Sequence, residues 1–302
     1  MSKRAAPRSH AARVTATTAS TAATAPAAVA SAATRDTARA GTLVFCHANG
    51  FVAGTYEPLF EHWREAGWRV LAPTKLGHDP RYKVTSNWPH LRDELLDFVR
   101  REAPGEAVAL VGHSMGGYLG VLAASREPAL ARTVVLLDAP IVAGWRAQGF
   151  RMLKSTGLIE RAGPGKVSSR RRTHWPSLDA VRTHFGAKRA FAAWDSRVFD
   201  AWLRHGFERA DDGGVQLAYR REVETHVYNT LPHHVESLLR RHPLPCPFGY
   251  VGGTRSVERH QLGLGLVRRL AGAHWREIEG THLFPMERPI ETARAVLELL
   301  AA

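Results

Sequence analysis

The sequence predicts an α/β fold: a mainly parallel sheet with helices on both faces, interrupted once by a helical insertion. Three observations predict it. From Gly41 onward, short runs rich in Val, Leu and Ile recur without strict polar alternation, as strands buried on both faces require. Segments with apolar residues three and four positions apart lie between them, the spacing of one helix face. Residues 141–245 then break the alternation of strand and helix, between two of the strand runs.

The strand runs are Thr42–His47, Trp68–Pro73, Ala107–Gly112, Thr133–Asp138, Pro247–Gly252 and Trp275–Glu279. Asn87-Trp88-Pro89 opens a helical pattern that continues through Leu91, Leu95, Phe98 and Val99; others cover Met115–Ser125, Glu258–Ala271 and Pro289–Leu300. The boundaries that follow are a leader over 1–40, a core built from 41–140 and 246–302, and the insertion 141–245. The insertion carries four of the eight tryptophans (Trp145, Trp175, Trp194, Trp202) and the turn Asp211-Asp212-Gly213-Gly214. Active sites of open α/β sheets lie beyond the carboxyl ends of the strands, where an insertion at this point would fold over as a cap.

The chain has 302 residues, 44% of them hydrophobic, enough for one large domain with an insertion. No apolar run approaches the roughly 20 residues that cross a bilayer. Two cysteines, Cys46 and Cys246, suggest a reducing, cytoplasmic setting rather than a disulfide scaffold, and their spacing matches no zinc motif. The net charge of +13 divides unevenly. Residues 1–40 hold six basic groups and one acid, residues 141–245 hold 18 and 10, and the remainder holds 17 of each. With no nucleic-acid-binding motif beside it, this excess does not predict a nucleic-acid partner. The leader, rich in Ala, Thr, Ser and Arg, cannot offset its ordering entropy by burial and reads as disordered. Its Arg-rich, acid-poor composition also fits an organellar transit peptide, the lesser reading.

The sharpest motif is Val111-Gly112-His113-Ser114-Met115-Gly116-Gly117, which follows an apolar run and precedes a helical pattern. A serine at so tight a strand-to-helix turn is strained, and glycines two residues to either side let the neighbouring chain approach. The hydroxyl would stand at the positive end of the helix, where developing negative charge is stabilised. A serine needs a base to take its proton. His282, in Gly280-Thr281-His282-Leu283-Phe284-Pro285-Met286-Glu287 after the final strand run, is the candidate. His113, beside the serine, reads as packing.

On these motifs residues 41–302 resemble the α/β-hydrolase superfamily, and Gly280–Pro289 resembles its terminal histidine loop. His47-Ala48-Asn49-Gly50-Phe51 is similar to its oxyanion loop, with Ala48 where a glycine is usual. The resemblance implies an oxyanion hole made by the backbone N–H groups of Asn49 and Met115, with Phe51 a weaker candidate. It also implies a third residue, an acid, usually Asp in the loop after the strand corresponding to Pro247–Gly252. That loop here reads Gly253-Thr254-Arg255-Ser256-Val257-Glu258, with Ser256 at the usual place. Some relatives take the acid from the end of the preceding strand instead, which here is Asp138. A carboxylate at the end of an apolar strand is costly unless it has a function. Asp138 is therefore the candidate acid and Glu258 the alternative; if Asp138 serves, Ser256 and its neighbours would be bystanders.

The implied activity is hydrolysis of a small-molecule carboxylic ester or related acyl compound without metal or cofactor. Carbon–carbon bond hydrolysis and acyl transfer remain open on the same three residues, as does a catalytically silent binding module. Leu76-Gly77-His78-Asp79-Pro80 reads as structural. Arg170-Arg171-Arg172 reads as a solvated charge run that could instead meet an anionic substrate or a lipid surface. Neither the substrate nor the oligomeric state is legible in the sequence.

Overall fold

The computed structural model describes residues 40–163 and 165–302; the leader, apart from residue 40, lies outside the described residues. Nine strands are found among them. In chain order they are β1 (Gly41–Cys46), β2 (Trp68–Leu71), β3 (Val108–His113), β4 (Ala131–Leu137), β5 (His174–Trp175), β6 (Phe207–Arg209), β7 (Val215–Leu217), β8 (Phe248–Gly253) and β9 (Trp275–Ile278). Six of them form one sheet in the order β2-β1-β3-β4-β8-β9, and each neighbouring pair is parallel. These six match the six apolar runs of the sequence to within two residues at each end.

The reason for the unbroken apolar runs is visible in the core. Within each strand, alternate residues join two different apolar clusters, one on each face of the sheet. Val44, Leu110, Val134 and Leu136 face one cluster; Leu43, Phe45, Val111 and Val135 face the other. Helices Pro89–Glu102, Met115–Arg126 and Gly265–Ala271 supply the first cluster, and Glu57–Glu65 and Pro289–Ala301 the second. Both faces are dry, so polar alternation is not tolerated. Fully burying one such Leu or Val is worth about 1.5–3 kcal/mol.

The order of strands places the site. From β1 the chain adds β2 on one side and then returns to add β3 on the other, a topological switch point that opens a crevice at the carboxyl ends of β1 and β3. The register aligns those ends: Cys46 pairs with Gly112, His113 with Leu137, and Gly253 with Ile278. The loops carrying Asn49, Ser114, Asp138 and His282 therefore leave the sheet at one edge.

Two expectations need correction. The single helix expected over Glu258–Ala271 is two, Val257–Leu262 and Gly265–Ala271. Gly263, at φ +83° and ψ 153°, takes an extended positive-φ conformation open essentially to glycine, and the helix stops there. The segment 141–245 is also not purely helical. β5, β7 and β6 form an antiparallel sheet in that order, and Asp211-Asp212-Gly213-Gly214 is the turn of the β6–β7 hairpin. Asp212 Oδ1 accepts from Gly214 N at 3.0 Å, which closes that turn. Three of the four tryptophans are buried, and Trp175, Trp194 and Trp202 pack at tilted and edge-to-face angles with Phe185, Phe191 and Phe207. Trp145 is 75% exposed. Among the described residues no helix is long and apolar enough to cross a membrane.

Candidate active site

Ser114 joins β3 to the helix Met115–Arg126 with φ 52° and ψ −114°, a region that residues with a side chain rarely enter. The glycines around it allow this. A Cβ at Gly112 would overlap the backbone of Gly116, and one at Gly116 would overlap the carbonyl of Cys46 on β1. Both positions are where the helix presses onto the sheet, so any larger residue would push the serine out of the turn.

Asp138 follows β4 and is fully buried. Its carboxylate lies among four donors. Oδ2 accepts from His282 Nδ1 at 2.7 Å and from the Ser256 hydroxyl; Oδ1 faces Gly253 N at 3.2 Å and the Tyr250 hydroxyl at 3.4 Å. A buried carboxylate satisfied in this way also holds its partners in place. Glu258, the alternative, is half exposed, and its Oε2 is 3.9 Å from His282 Nδ1, beyond hydrogen-bond range. The structure thus brings Asp138 to His282 and leaves Glu258 just outside.

Ser256 is no bystander. It is fully buried, and its hydroxyl reaches Asp138 from the loop after β8. A hydroxyl has one proton, so its second neighbour, Glu258 Oε2 at 3.2 Å, competes for it. Ser256→Ala should lower unfolding stability by roughly 1–3 kcal/mol, the cost of removing a buried donor from a charged acceptor. Chemical denaturation measures this; an unchanged midpoint would show that the hydroxyl serves Glu258 instead.

His282 occupies the loop between β9 and the C-terminal helix. Burial pulls its imidazole down, but the hydrogen bond and charge of Asp138, with the charge of Glu258, outweigh that and leave it raised above the ordinary value near 6.5. Glu287 braces the loop, accepting from Thr281 N at 3.1 Å and from the Thr281 hydroxyl at 2.5 Å.

The Asn49 loop follows β1. Among the described residues neither the N–H of Asn49 nor that of Met115 has a hydrogen-bond acceptor, whereas Phe51 N donates to Ala48 O at 3.2 Å and Ala48 N to the Tyr56 hydroxyl at 3.2 Å. The Asn49 side chain reaches the other way, donating to Glu224 O at 3.0 Å. Glu224 is buried and pairs with Arg171 at 3.0 Å, so one member of the arginine run is not simply solvated. His78 accepts from Arg220 N at 2.9 Å, a structural contact between the loop after β2 and residues 141–245. His113 is buried, as expected for a packing residue, but both its ring nitrogens are also hydrogen-bonded.

Ser114, His282, Asn49, Tyr228 and Glu258 stand where two cavities of about 530 and 480 Å³ meet. The first is walled by Phe51, Phe185, Phe191 and Trp202, with Arg171, Lys188 and Arg255 around it. The second is lined by Trp88, Phe150, Val227, Leu231 and Leu262, with Tyr118 and Gln261 among them. Asp138, Glu258 and His282 also form a cluster of possible metal ligands, but the Asp138–His282 bond already engages the two atoms an ion would need.

A parallel sheet with a strained serine after the third strand and a histidine after the last defines a hydrolase architecture. A family model described as the alpha/beta hydrolase family matches residues 43–295, and the chain belongs to that family. Among curated proteins it is 32% identical over 112 residues to "Probable esterase PIR7A" of Oryza sativa, in both the indica and japonica subspecies. That match takes in 36% of this chain and 43% of the rice protein, so the chain spans less than half of that relative's length. Among solved structures it is similar to E-2-(acetamidomethylene)succinate hydrolase, with TM-score 0.68 and 20% identity over 87% of this chain and 92% of the other. It is also similar to the M. tuberculosis esterase Rv0045c, with TM-score 0.62 and 21% identity over 86% and 85% of the two chains. At these identities the structural likeness speaks for the fold alone.

Proposed function

We propose that this protein hydrolyses a carboxylic ester or related acyl compound through Ser114, His282 and Asp138, with residues 141–245 as a cap. The observation that carries the reading is the His282–Asp138 bond of 2.7 Å beside a strained serine at the meeting point of two cavities. With Nδ1–H held by Asp138, neutral His282 presents Nε2 as an acceptor. Ser114 Oγ attacks the acyl carbon while its proton passes to Nε2, and the oxyanion forms against the N–H groups of Asn49 and Met115. Collapse of the tetrahedral intermediate expels the alcohol, which takes the proton from His282. Water then repeats the cycle on the acyl-enzyme, releasing the acid and free Ser114. The rice relative's name, esterase, supports the ester over other acyl substrates.

The two cavities give room for two substantial arms on either side of the reacting carbonyl. Esters with bulky apolar acyl groups should be turned over faster than acetates. The excess of basic groups in 141–245 favours an anionic substituent on the arm that enters the aromatic cavity, where Lys188 lies beside Arg171, itself paired with Glu224. Fluorophosphonate labelling followed by p-nitrophenyl esters of increasing acyl length tests the reading. Labelling with ester turnover supports it. Labelling without turnover of any ester would shift it to carbon–carbon cleavage or acyl transfer, and no labelling would make the protein a silent member of the fold. Matched neutral and anionic esters at low and high salt test the charge preference, which fails if kcat/KM is equal and insensitive to salt.

The pH profile has a defined sign. His282 must be neutral to accept the proton, and its pKa is raised, so it stays protonated to a higher pH than an ordinary imidazole. The acidic limb of kcat/KM should therefore have its midpoint on the alkaline side of 6.5. A midpoint below that value would mean that burial outweighs Asp138.

A further inference from the structure

His113 ends β3 and is fully buried, yet its two ring nitrogens reach two different loops. Nε2 lies 2.9 Å from the carbonyl oxygen of His282. A carbonyl only accepts, so Nε2 carries the proton. In a neutral ring Nδ1 is then an acceptor, and it takes the Tyr56 O–H at 2.7 Å. Tyr56 is also fully buried, and its oxygen in turn accepts the N–H of Ala48 at 3.2 Å. Every donor in this chain is thereby assigned: Ala48 N–H to Tyr56, Tyr56 O–H to His113, and His113 Nε2–H to the backbone of His282. One end of the chain is the residue before Asn49; the other is the proposed base itself.

We propose that His113 is a positioning residue which, with Tyr56, locks the backbone of His282 to the oxyanion loop so that base and oxyanion donors face Ser114 in one fixed geometry. The proposal rests on the reading of Ser114 and His282 as nucleophile and base. The His282 ring is held at Nδ1 by Asp138, but a ring held at one atom can still swing if its backbone drifts. The bond from His113 to the His282 carbonyl supplies the second restraint. Neutrality of His113 is part of the device. Its ring centroid is 5.0 Å from that of His282, so a charge there would oppose the imidazolium that forms during attack. Burial first, and then the charge of His282, hold His113 well below the ordinary imidazole range, and its two hydrogen bonds fix the tautomer of the neutral ring. Any buried histidine must satisfy both ring nitrogens; what is particular to His113 is that its two partners lead to the oxyanion loop and to the backbone of the proposed base.

The test compares His113→Phe, His113→Gln, Tyr56→Phe and Ser114→Ala with the parent protein, using the best p-nitrophenyl ester and counting folded protein by circular dichroism. His113→Phe keeps a ring but loses both bonds. Its kcat should fall about 100-fold, the scale of a base misplaced by about 1 Å, with KM nearly unchanged. Its acidic limb should move to lower pH, because a loosened His282–Asp138 bond no longer raises His282. His113→Gln can still donate to the His282 carbonyl and should recover most of the loss. Tyr56→Phe should lose activity in the same direction by a smaller factor. Parental kcat and acidic limb per folded molecule in His113→Phe would overturn the proposal. If His113→Phe does not fold, Tyr56→Phe decides the matter, and parental kcat there would overturn it. Activity that survives Ser114→Ala would instead overturn the assignment of the nucleophile, a result distinct from any of these.

Discussion

Ser114→Ala should lower kcat about 10⁶-fold and abolish fluorophosphonate labelling without loss of the fold. The size follows from the mechanism, since without the hydroxyl there is no acyl-enzyme. What remains is rate enhancement from binding and the oxyanion donors, which for such sites still exceeds reaction in water by about 10³–10⁴. The substitution is mild structurally. Alanine keeps a Cβ at φ 52°, so the strain of the turn is neither added nor relieved, and the glycine contacts that shape it are untouched. Circular dichroism and the denaturation midpoint should match the parent. Labelling that persists in the variant would place the nucleophile at another serine.

Asp138→Asn should cost about 10⁴-fold in kcat, whereas Glu258→Gln should cost only a few-fold. Asparagine can turn its amide toward His282 Nδ1 and donate to it. That reverses the tautomer: Nε2 then carries the proton and cannot take one from Ser114. The variant also loses the cause that raises His282, so any residual activity should show its acidic limb at lower pH. Glu258 stands 3.9 Å from the imidazole, half exposed, and contributes charge through partly screened space rather than a bond. Asparagine at 138 also takes the acceptor Oδ2 from the Ser256 hydroxyl, which must turn to Glu258 Oε2, a cost of up to about 1–3 kcal/mol in stability. Unfolding curves must therefore accompany the kinetics, and the loss in kcat should far exceed any loss of folded protein. The opposite ranking of the two variants would assign the orienting role to Glu258.

The sheet was legible in the sequence because its strands are short, apolar and covered on both faces, so each run announces itself without knowledge of its partners. The serine turn was legible from the fixed spacing of Gly112, Ser114 and Gly116, although only the demand on Gly112 is local; Gly116 makes way for Cys46 on the neighbouring strand. His282 could be read from chain order, as the loop after the last strand. The helix break was missed because glycines at 263 and 265 do not by themselves reveal whether either φ will be positive, and at Gly263 it is. The small sheet of β5, β6 and β7 was missed because its strands are two or three residues long, too short to show a period.

What the sequence determined by itself is therefore whatever depends on near neighbours: the α/β pattern, the strained serine and the loop histidine. What only the tertiary structure decided is which groups meet across long stretches of chain. Asp138 and His282 are 144 residues apart, and their 2.7 Å bond depends on β4 and the loop after β9 ending at the same edge of the sheet. Ser256 gained a partner from 118 residues away, and His113 one from 57 and another from 169. Hydrogen bonds act over about 3 Å and carry no trace in sequence spacing. A buried polar side chain finds its partner only after the apolar strands have fixed where every loop begins.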